Sequence, residues 1–352
     1  MLSRRDLLRL LPASLLVPAA SPARGAQGPE FGRIDTHIHI HQPAPELVTS
    51  LGESGWRGLD IVVCPAVGDE PFDLQAKLEA TREVAERSGG TLSWASTFDA
   101  RGFEDPDFVD RTVAGLRETF DQGAIAVKIW KTIGMAIRGE SGEYLLPDDR
   151  RLLPIYEAIR DAGRTLVAHL AEPDGAWLPL DEDNPEFSYY SRNPQWHMLG
   201  KEGAPPKEEI LAARDRVLAH YPDLRVVGCH LGSNEDDLDR LSARLDAHPN
   251  FAVDTAARVR YFARGDRDRV RDFLTRHQDR ILYGTDSSYR GGPEEAAARS
   301  FRERHEQDWR FFSEDGPMEY DGRETTGLGL PVAILRKIFR ENALRWLPGL
   351  GA

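Results

Sequence analysis

The residues best suited to chemistry lie in a short apolar stretch near the start of the chain, where a histidine occupies every second position. His37, His39 and His41 alternate with isoleucines, and Asp35 precedes them at the same spacing. Side chains two residues apart on a β-strand share a face, so the pattern predicts that all four polar side chains point the same way. Two such imidazoles can bind one metal ion, which offsets the cost of burying them. A solvated or hydrogen-bonded histidine cluster without a metal is the alternative.

More polar residues stand where later apolar stretches end. They are Lys128, His169, His230 and Asp286. Taken singly, each has a structural explanation: a lone histidine at a strand end is usually satisfied by hydrogen bonds, and the Gly-Thr-Asp sequence at 284–286 can cap a helix. Their joint placement favours a shared site if the fold brings these strand ends together.

The elements that must position these residues are short apolar stretches alternating with amphipathic ones. Strand-like segments lie at 34–40, 59–64, 91–98, 124–130, 165–170, 224–231, 251–254 and 281–283. Helical patterns, with apolar residues three and four apart, are clearest at 74–87, 108–120, 152–162, 207–220, 237–246 and 269–277. Eight strands alternating with helices predict parallel pairing, and a chain of 352 residues suits one (β/α)8 TIM barrel. In that fold the chemistry lies at the C-terminal ends of the strands.

Strand alternation also predicts which side chains face the barrel interior. It places Lys128, His169 and His230 inside and turns Cys229 towards the helices. Cys229 and Cys64 are the only cysteines, and each lies in an apolar, strand-like segment. We therefore expect two buried free thiols rather than a disulfide.

The ordered set of His-x-His, a lysine, two histidines and Gly-Thr-Asp at strand ends resembles the amidohydrolase superfamily of metal-dependent barrels. The segment at 338–346, Ile-Phe-Arg-Glu-Asn-Ala-Leu-Arg-Trp, is similar to the terminal helix of its amidohydrolase-related branch. The resemblance spans about residues 33–346 and is specific as a set, although the substrate-contacting loops match no pattern that we can assign.

This resemblance implies one divalent metal ion, most often zinc, with His37, His39, His169 and Asp286 as its ligands. Three imidazoles and a carboxylate suit zinc or another first-row ion, and an open position for water makes such a site catalytic. Asp286 would also take the proton of the attacking water, and His230 would polarise a carbonyl or shuttle a proton. A structural role for His230 is the alternative.

Lys128 bears on the number of metal ions. In binuclear members of the superfamily a lysine on the fourth strand is carboxylated and bridges two ions, so a second metal is expected if Lys128 is carboxylated. The alternatives are that Lys128 binds a substrate carboxylate, with Lys131 nearby, or extends to solvent. We expect the unmodified amine in the substrate-binding role, because Trp130 and Lys131 follow it.

The longest connection follows the fifth strand, at residues 171–206, and is rich in aromatic residues. A connection of this length without a clear helix predicts a lid or binding loop. Trp196 in this loop and Trp130 before it are candidates for contacting a flat or ring-shaped ligand, although rings that only pack the loop are the alternative. Arg258, just after the seventh strand, is a candidate anchor for an anionic substrate.

Residues 1–26 have the order of a secretory signal, with paired Arg4 and Arg5, then an apolar stretch, then small residues. The paired arginines favour the twin-arginine export machinery, and the apolar part is too short to span a membrane. We therefore expect residues 27–352 to form one exported, periplasmic barrel domain. A disordered basic tail is the alternative.

The chain is acidic, with a formal net charge of −13 that becomes −16 when residues 1–26 are removed. Such a surface repels nucleic acid and anionic lipid, so the expected partner is a small-molecule substrate. A homo-oligomer is compatible with the sequence, which leaves the oligomeric state open.

These features predict a metal-dependent hydrolase that attacks the carbonyl of an amide or lactone. A decarboxylase of the same branch is an alternative that keeps the metal but releases carbon dioxide. A His-x-His phosphoesterase is another, and it would need further metal-binding carboxylates on the middle strands. A non-catalytic metal or ligand binder would leave no exchangeable water.

Overall fold

The computed structural model describes residues 31–68 and 71–350, and within them a curled sheet of nine parallel strands carries the candidate site. The strands are β1 (Arg33–Ile40), β2 (Trp56–Ile61), β3 (Leu92–Thr97), β4 (Ala126–Ile129), β5 (Thr165–Ala168), β6 (Val226–Gly228), β7 (Phe251–Asp254), β8 (Ile281–Leu282) and β9 (Ser287–Tyr289). Their order is β8-β7-β6-β5-β4-β3-β2-β1-β9. The eight predicted strands are therefore present, β2 begins three residues earlier than expected, and β9 is additional.

Helices connect these strands. They are α1 (Pro45–Glu53), α2 (Leu74–Arg87), α3 (Phe108–Asp121), α4 (Leu153–Asp161), α5 (Phe187–Arg192), α6 (Lys207–His220), α7 (Leu238–Ala247), α8 (Val259–Arg264), α9 (Arg267–Arg276), α10 (Glu294–Ser313), α11 (Val332–Arg336) and α12 (Asn342–Trp346). A π-helical segment, Lys337–Glu341, joins α11 to α12, and an antiparallel hairpin of β10 (Pro317–Tyr320) and β11 (Arg323–Thr326) follows α10. The predicted helices all exist, with bounds that agree to within two residues.

The longest helix that the sequence patterns did not single out is α10, which has 20 residues. Its buried face contains Phe301, Phe311 and Phe312, but also His305 and Asp308. These two polar residues interrupt the apolar stripe by which a helix is recognised, and they are buried because the tertiary structure supplies their hydrogen-bond partners.

The core has two layers. Inside the curl of the sheet, side chains from alternate strand positions pack together, among them Ile34, Leu59, Ala95, Val167, Val227 and Leu282. Trp346 and Leu347, at the C-terminal end of the chain, close this inner cluster from one side. A larger apolar cluster fills the space between the sheet and the helices. The polar candidate residues therefore occupy the opposite end of the inner layer, where the strands end.

The segment after β8 returns along β1. The Thr36 amide donates to the Tyr283 carbonyl at 2.9 Å, the Asp286 amide donates to the His37 carbonyl at 2.8 Å, and β9 pairs with β1 in parallel. Asp286 is thereby brought directly beside the first strand.

The prediction that Asp35 shares a face with the histidines is wrong. The pairing of β1 with β2 shifts register between Asp35 and Ile38, and Ile34 belongs to the inner cluster. The Asp35 carboxylate instead accepts a hydrogen bond from His305 Nε2 on α10 at 2.9 Å. An irregularity of this kind turns successive side chains onto new faces, so His37 and His39 point inwards although Asp35 does not.

The predicted alternation on the sixth strand is also wrong. Val227 and Cys229 face the inner cluster, so Cys229 does not turn towards the helices. His230 reaches the interior because its backbone is left-handed, with φ 57°, and Leu231 follows with φ 55°. Left-handed residues other than glycine are uncommon and break the two-residue period of a strand. Cys229 and Cys64 are both buried free thiols, as expected.

The long connection at 171–206 contains α5 and two short 3-10 turns, Asp174–Trp177 and Pro194–Trp196, so it is less irregular than expected. No helix among the described residues is long and apolar enough to span a membrane. The predicted signal peptide, residues 1–26, lies outside the described part of the chain.

Candidate metal centre

Three side chains from the two ends of the sheet converge on one point. His39 Nε2 lies 3.1 Å from Asp286 Oδ1, and His37 Nε2 lies 3.5 Å from the same oxygen. The ligand atoms of these three residues all lie within 4.8 Å of one another. Two imidazole nitrogens and one carboxylate oxygen at such spacing fit a divalent first-row metal ion.

The opposite nitrogens of both rings are fixed by hydrogen bonds. His39 Nδ1 donates to the Ile61 carbonyl at 2.8 Å, and His37 Nδ1 lies 2.8 Å from Asp254 Oδ2. A carbonyl can only accept a hydrogen bond, so His39 carries its proton on Nδ1 and directs the lone pair of Nε2 to the centre. A carboxylate behind His37 has the same effect, and this arrangement is typical of metal-binding histidines.

Asp254 stays ionised although it is buried. Burial opposes ionisation, but His37, followed by His230 and Lys128, lowers the pKa of Asp254 to about 2. Its other oxygen accepts hydrogen bonds from the amides of His230 at 2.7 Å and Ala256 at 3.1 Å. One carboxylate therefore orients His37 and the turn that carries His230.

Asp286 is held in a left-handed conformation with φ 65°. Burial raises the pKa of Asp286, but the neighbouring imidazoles of His39, His230 and His37 lower it well below the usual range. Next to it, Thr285 donates to Asp35 from its amide at 3.0 Å and its hydroxyl at 2.7 Å. Asp35 thus anchors the turn that presents Asp286 as a carboxylate.

The two histidines that follow β5 and β6 lie beside this cluster. The rings of His169 and His230 are 4.2 Å apart, and His230 is 5.0 Å from the His37 ring. His169 Nε2 is buried without a hydrogen-bond partner among the described residues, as expected for an atom that binds a ligand. His169 is not among the three residues whose ligand atoms lie within 4.8 Å of one another, so its role as a fourth ligand stays a prediction.

Both of these histidines are neutral in this environment. Burial is the main cause that lowers the pKa of each well below the usual value, and for His169 the neighbouring His230 and Lys131 add to it. His230 Nδ1 donates to the Ala256 carbonyl at 2.8 Å, which leaves the lone pair on Nε2. A neutral imidazole of this tautomer can accept a proton or bind a metal.

Lys128 lies one step deeper in the sheet than His169. It pairs with Val167, two residues before His169, and its Nζ donates to Cys229 Sγ at 2.8 Å. It is buried, with 1% of its surface exposed. Its role in binding a substrate carboxylate stays a prediction.

The other predicted substrate-binding residues surround the outer side of the site. The Trp130 ring lies 6.4 Å from His169 and 5.0 Å from Trp196, which comes from the long connection. Arg258 is buried, with Nε 3.5 Å from Glu235 Oε1. Neither that Nε nor either Glu235 oxygen has a hydrogen-bond partner among the described residues.

Three residues next to the site were absent from the predicted set. They are Glu172, Tyr189 and Asp254. Lys131, which also adjoins the site, was named only as a neighbour of Lys128. Asp254 ends a predicted strand, so the rule that selected the strand-end histidines would also have found it. Glu172 lies just beyond the fifth predicted strand, whereas nothing local distinguishes Tyr189 from the other rings of its loop.

A cavity of about 580 Å³ opens beside Asp286. Its walls come from the turn at 284–288, from α10 and from the hairpin, and include Thr285, Arg304, Asp308 and Tyr320. Of the three residues that converge on the centre, Asp286 is the one that lines this cavity.

Comparisons with known proteins agree on the fold. The family model described as Amidohydrolase matches residues 34–349, and no curated protein matches the sequence. A 2,6-dihydroxybenzoate decarboxylase from Rhizobium is 16% identical, with a TM-score of 0.52 over 90% of this chain and 98% of that one. A dihydroxybenzoic acid decarboxylase from Polaromonas sp. JS666 was solved with bound manganese and 2-nitroresorcinol. It is 15% identical, with a TM-score of 0.51 over 90% of this chain and 97% of that one. The 4-oxalomesaconate hydratase from Rhodopseudomonas palustris is 12% identical, with a TM-score of 0.50 over 90% of this chain and 96% of that one.

Proposed function

Because the chain belongs to the amidohydrolase family, we propose that it is a metal-dependent hydrolase that cleaves an amide or lactone in a small, anionic or ring-containing substrate. The observation that carries this proposal is the convergence of His37 Nε2, His39 Nε2 and Asp286 Oδ1, with both Nδ1 atoms already fixed. Groups arranged in this way are prepared to bind a cation before it arrives.

We propose one zinc ion per chain, held by His37, His39, Asp286 and His169. The unpartnered Nε2 of His169 supports the fourth position. A divalent cation bound there would supply a Lewis acid that lowers the pKa of water and polarises a carbonyl oxygen.

The remaining groups would move protons and hold the substrate. His230 Nε2 is a free proton acceptor, because the Ala256 carbonyl holds the proton of the same ring on Nδ1. Asp286 is ionised and accepts the proton of the attacking water through its carboxylate. Arg258, buried among acidic side chains, would keep its full charge for an anionic part of the substrate.

Decarboxylation of an aromatic acid is the second candidate reaction. It is favoured by the rings of Trp130 and Trp196 beside His169, which suit a planar acid. The two reactions differ in their products, since only the decarboxylase releases carbon dioxide.

The test is to incubate the purified protein with lactones, N-acyl compounds and aromatic carboxylic acids, with and without prior removal of the metal. We expect hydrolysis products from one of the first two classes, and loss of activity on metal removal. His39→Ala should lose metal and activity together, whereas His220→Ala, at an exposed position on α6, should change neither. If the protein released carbon dioxide from an aromatic acid and hydrolysed none of the other compounds, the hydrolase proposal would be wrong and the decarboxylase would be favoured.

We also propose that the described strands form a closed (β/α)8 barrel. The hydrogen bonds that join Thr36 to Tyr283 and Asp286 to His37 support closure, because they connect the segment after β8 to β1. The lid at 171–206 and an exported, periplasmic location are proposed for the same chain.

A further inference from the structure

A buried ion pair adjoins the candidate metal centre. Lys131 pairs with Glu172, and only 2% and 5% of their respective surfaces are exposed. Lys131 Nζ also donates to the Tyr189 hydroxyl at 3.1 Å. Lys131 follows β4, whereas Glu172 and Tyr189 belong to the long connection, so this pair joins the lid to the barrel.

Aromatic rings enclose the ammonium group of Lys131. The centre of the Trp196 ring lies 4.2 Å from Nζ, that of Trp130 5.1 Å and that of Tyr189 5.5 Å. Ring faces at these distances attract a cation and exclude water around it. We call Lys131, Glu172 and these three rings the lysine box.

The lysine box adjoins the metal centre. Glu172 Oε1 lies 4.0 Å from His169 Nε2, the buried nitrogen without a hydrogen-bond partner among the described residues. The Glu172 carboxylate thus lies between Lys131 and His169.

A buried ion pair contributes little net stability, because removing both charges from water offsets much of their attraction. Leucine and methionine side chains would hold a lid onto a barrel equally well. A lysine paired with a carboxylate at the edge of a catalytic site has a further use. The carboxylate of a substrate can replace the carboxylate of the protein, and the charge around the lysine stays the same.

We propose that Lys131 selects substrates that carry a planar carboxylate, and that Glu172 occupies the carboxylate position until such a substrate displaces it. The ligand class is a conjugated or aromatic monocarboxylic acid, whose flat face would lie against Trp130 and Trp196. This inference rests on the proposed function, since it names the substrate class of the same site.

The test measures the binding of benzoate and of neutral benzamide to the full-length protein by isothermal titration calorimetry. Wild-type protein should bind benzoate more tightly than benzamide. Lys131→Gln should weaken benzoate binding on the order of tenfold and leave benzamide binding nearly unchanged, as expected when one charge-assisted hydrogen bond is lost. Glu172→Gln should strengthen benzoate binding, because the internal competitor has lost its charge.

Two further variants separate this inference from a general effect on the lid. Lys207→Gln breaks another ion pair of the lid, formed with Asp174 at 2.6 Å, and should leave benzoate binding unchanged. The double variant Lys131→Gln/Glu172→Gln leaves no unpaired buried charge, and should fold and bind benzoate no better than benzamide. The proposal would be overturned if the double variant still preferred benzoate to benzamide. It would also be overturned if Lys207→Gln weakened benzoate binding as much as Lys131→Gln does.

Weaker benzoate binding in Glu172→Gln would overturn the role of Glu172 as a competitor. The calorimetry does not depend on turnover, so it is distinct from the test of the proposed function. If no compound is hydrolysed but the preference for benzoate depends on Lys131, the proposed hydrolase activity is wrong, whereas the proposed carboxylate-binding role of Lys131 is supported.

Discussion

His37 and His39 show how hydrogen bonds behind a ring decide what its other nitrogen can do. The Ile61 carbonyl and the Asp254 carboxylate hold the Nδ1 atoms, so the Nε2 lone pairs meet beside Asp286. Fixing the tautomer and the ring angle in advance reduces the entropy lost when a ligand binds. At the scale of the residue, the site is therefore defined by these acceptors as much as by the histidines.

His230 provides the first prediction at this scale. His230→Ala should keep the metal and lower kcat by roughly 10²- to 10⁴-fold, the range typical of a lost acid or base. Elemental analysis and steady-state kinetics on the same preparation measure both quantities. If His230→Ala lost metal as fully as His39→Ala, His230 would be a ligand.

Lys128 provides the second prediction. Its amine donates to Cys229 Sγ inside the curl of the sheet. Lys128→Met keeps most of the buried volume, so we expect about one metal per chain in both the wild type and the variant. Elemental analysis that found two ions per chain in the wild type and fewer in the variant would favour the binuclear site.

At the scale of the element, the register shift in β1 connects two parts of the site. It turns Asp35 towards α10. The Asp35 carboxylate accepts hydrogen bonds from His305 on that helix and from the Thr285 hydroxyl. Its Oδ1 atom also accepts a hydrogen bond from the His37 amide at 3.1 Å. One carboxylate thereby fixes the backbone next to His37 and the turn before Asp286. Asp35 is a positioning residue, because it contacts neither the His37 Nε2 nor the Asp286 Oδ1 that would bind the metal.

Asp35→Asn should therefore weaken metal binding by about 10- to 100-fold, as is typical for groups that orient metal ligands. Competition with a chelator measures the affinity. Asp308→Asn is the matched control, since Asp308 is a buried carboxyl of α10 that accepts from Tyr283 and Tyr320 instead. An equal loss of affinity in both variants would mean that any buried carboxyl in contact with this helix supports the site.

The end of β6 is the second element that shapes the site. The left-handed residues His230 and Leu231 form a tight turn, and a Cβ at Gly228 would lie only 2.7 Å from the Phe251 ring. Glycine at this position lets the turn approach β7, whose last residue, Asp254, accepts from the His230 amide. Because Val227 and Cys229 face the inner cluster, an undisturbed strand would turn His230 towards the helices, and this turn carries it into the interior instead.

At the scale of the whole molecule, residues from both ends of the sheet form one centre only because the sheet curls. Asp286 comes 247 residues after His39, and its amide bonds to the first strand. The long connection at 171–206 adds Glu172, Tyr189 and Trp196 beside this centre, and a cavity opens beside Asp286.

Export is the prediction that concerns the complete chain. Twin arginines are recognised by a receptor, so replacing Arg4 and Arg5 by lysines should block export while the fold and activity of the retained protein stay the same. Cell fractionation with an activity assay of each fraction measures this. Normal periplasmic recovery of the Lys-Lys form would contradict the twin-arginine route.

The sequence by itself determined the succession of strands and helices, the residues at the strand ends and the family. The elements and the strand-end residues follow from local periodicity, because the pattern of apolar residues is short-ranged and polar residues at the ends of apolar stretches are visible without a fold. The family follows from the resemblance of the ordered strand-end residues and the terminal segment. Asp254 was equally visible by that rule.

Only the tertiary structure decided which way several of these side chains point. The register shift in β1 and the left-handed turn after β6 depend on partners far along the chain, such as His305 for Asp35 and Asp254 for the His230 amide. The burial of Lys128 against Cys229, and the pairing of Lys131 with a lid carboxylate, likewise depend on contacts between distant segments. Alternation assumes an undisturbed strand, and long-range hydrogen bonds outweigh it at the positions where the site is built.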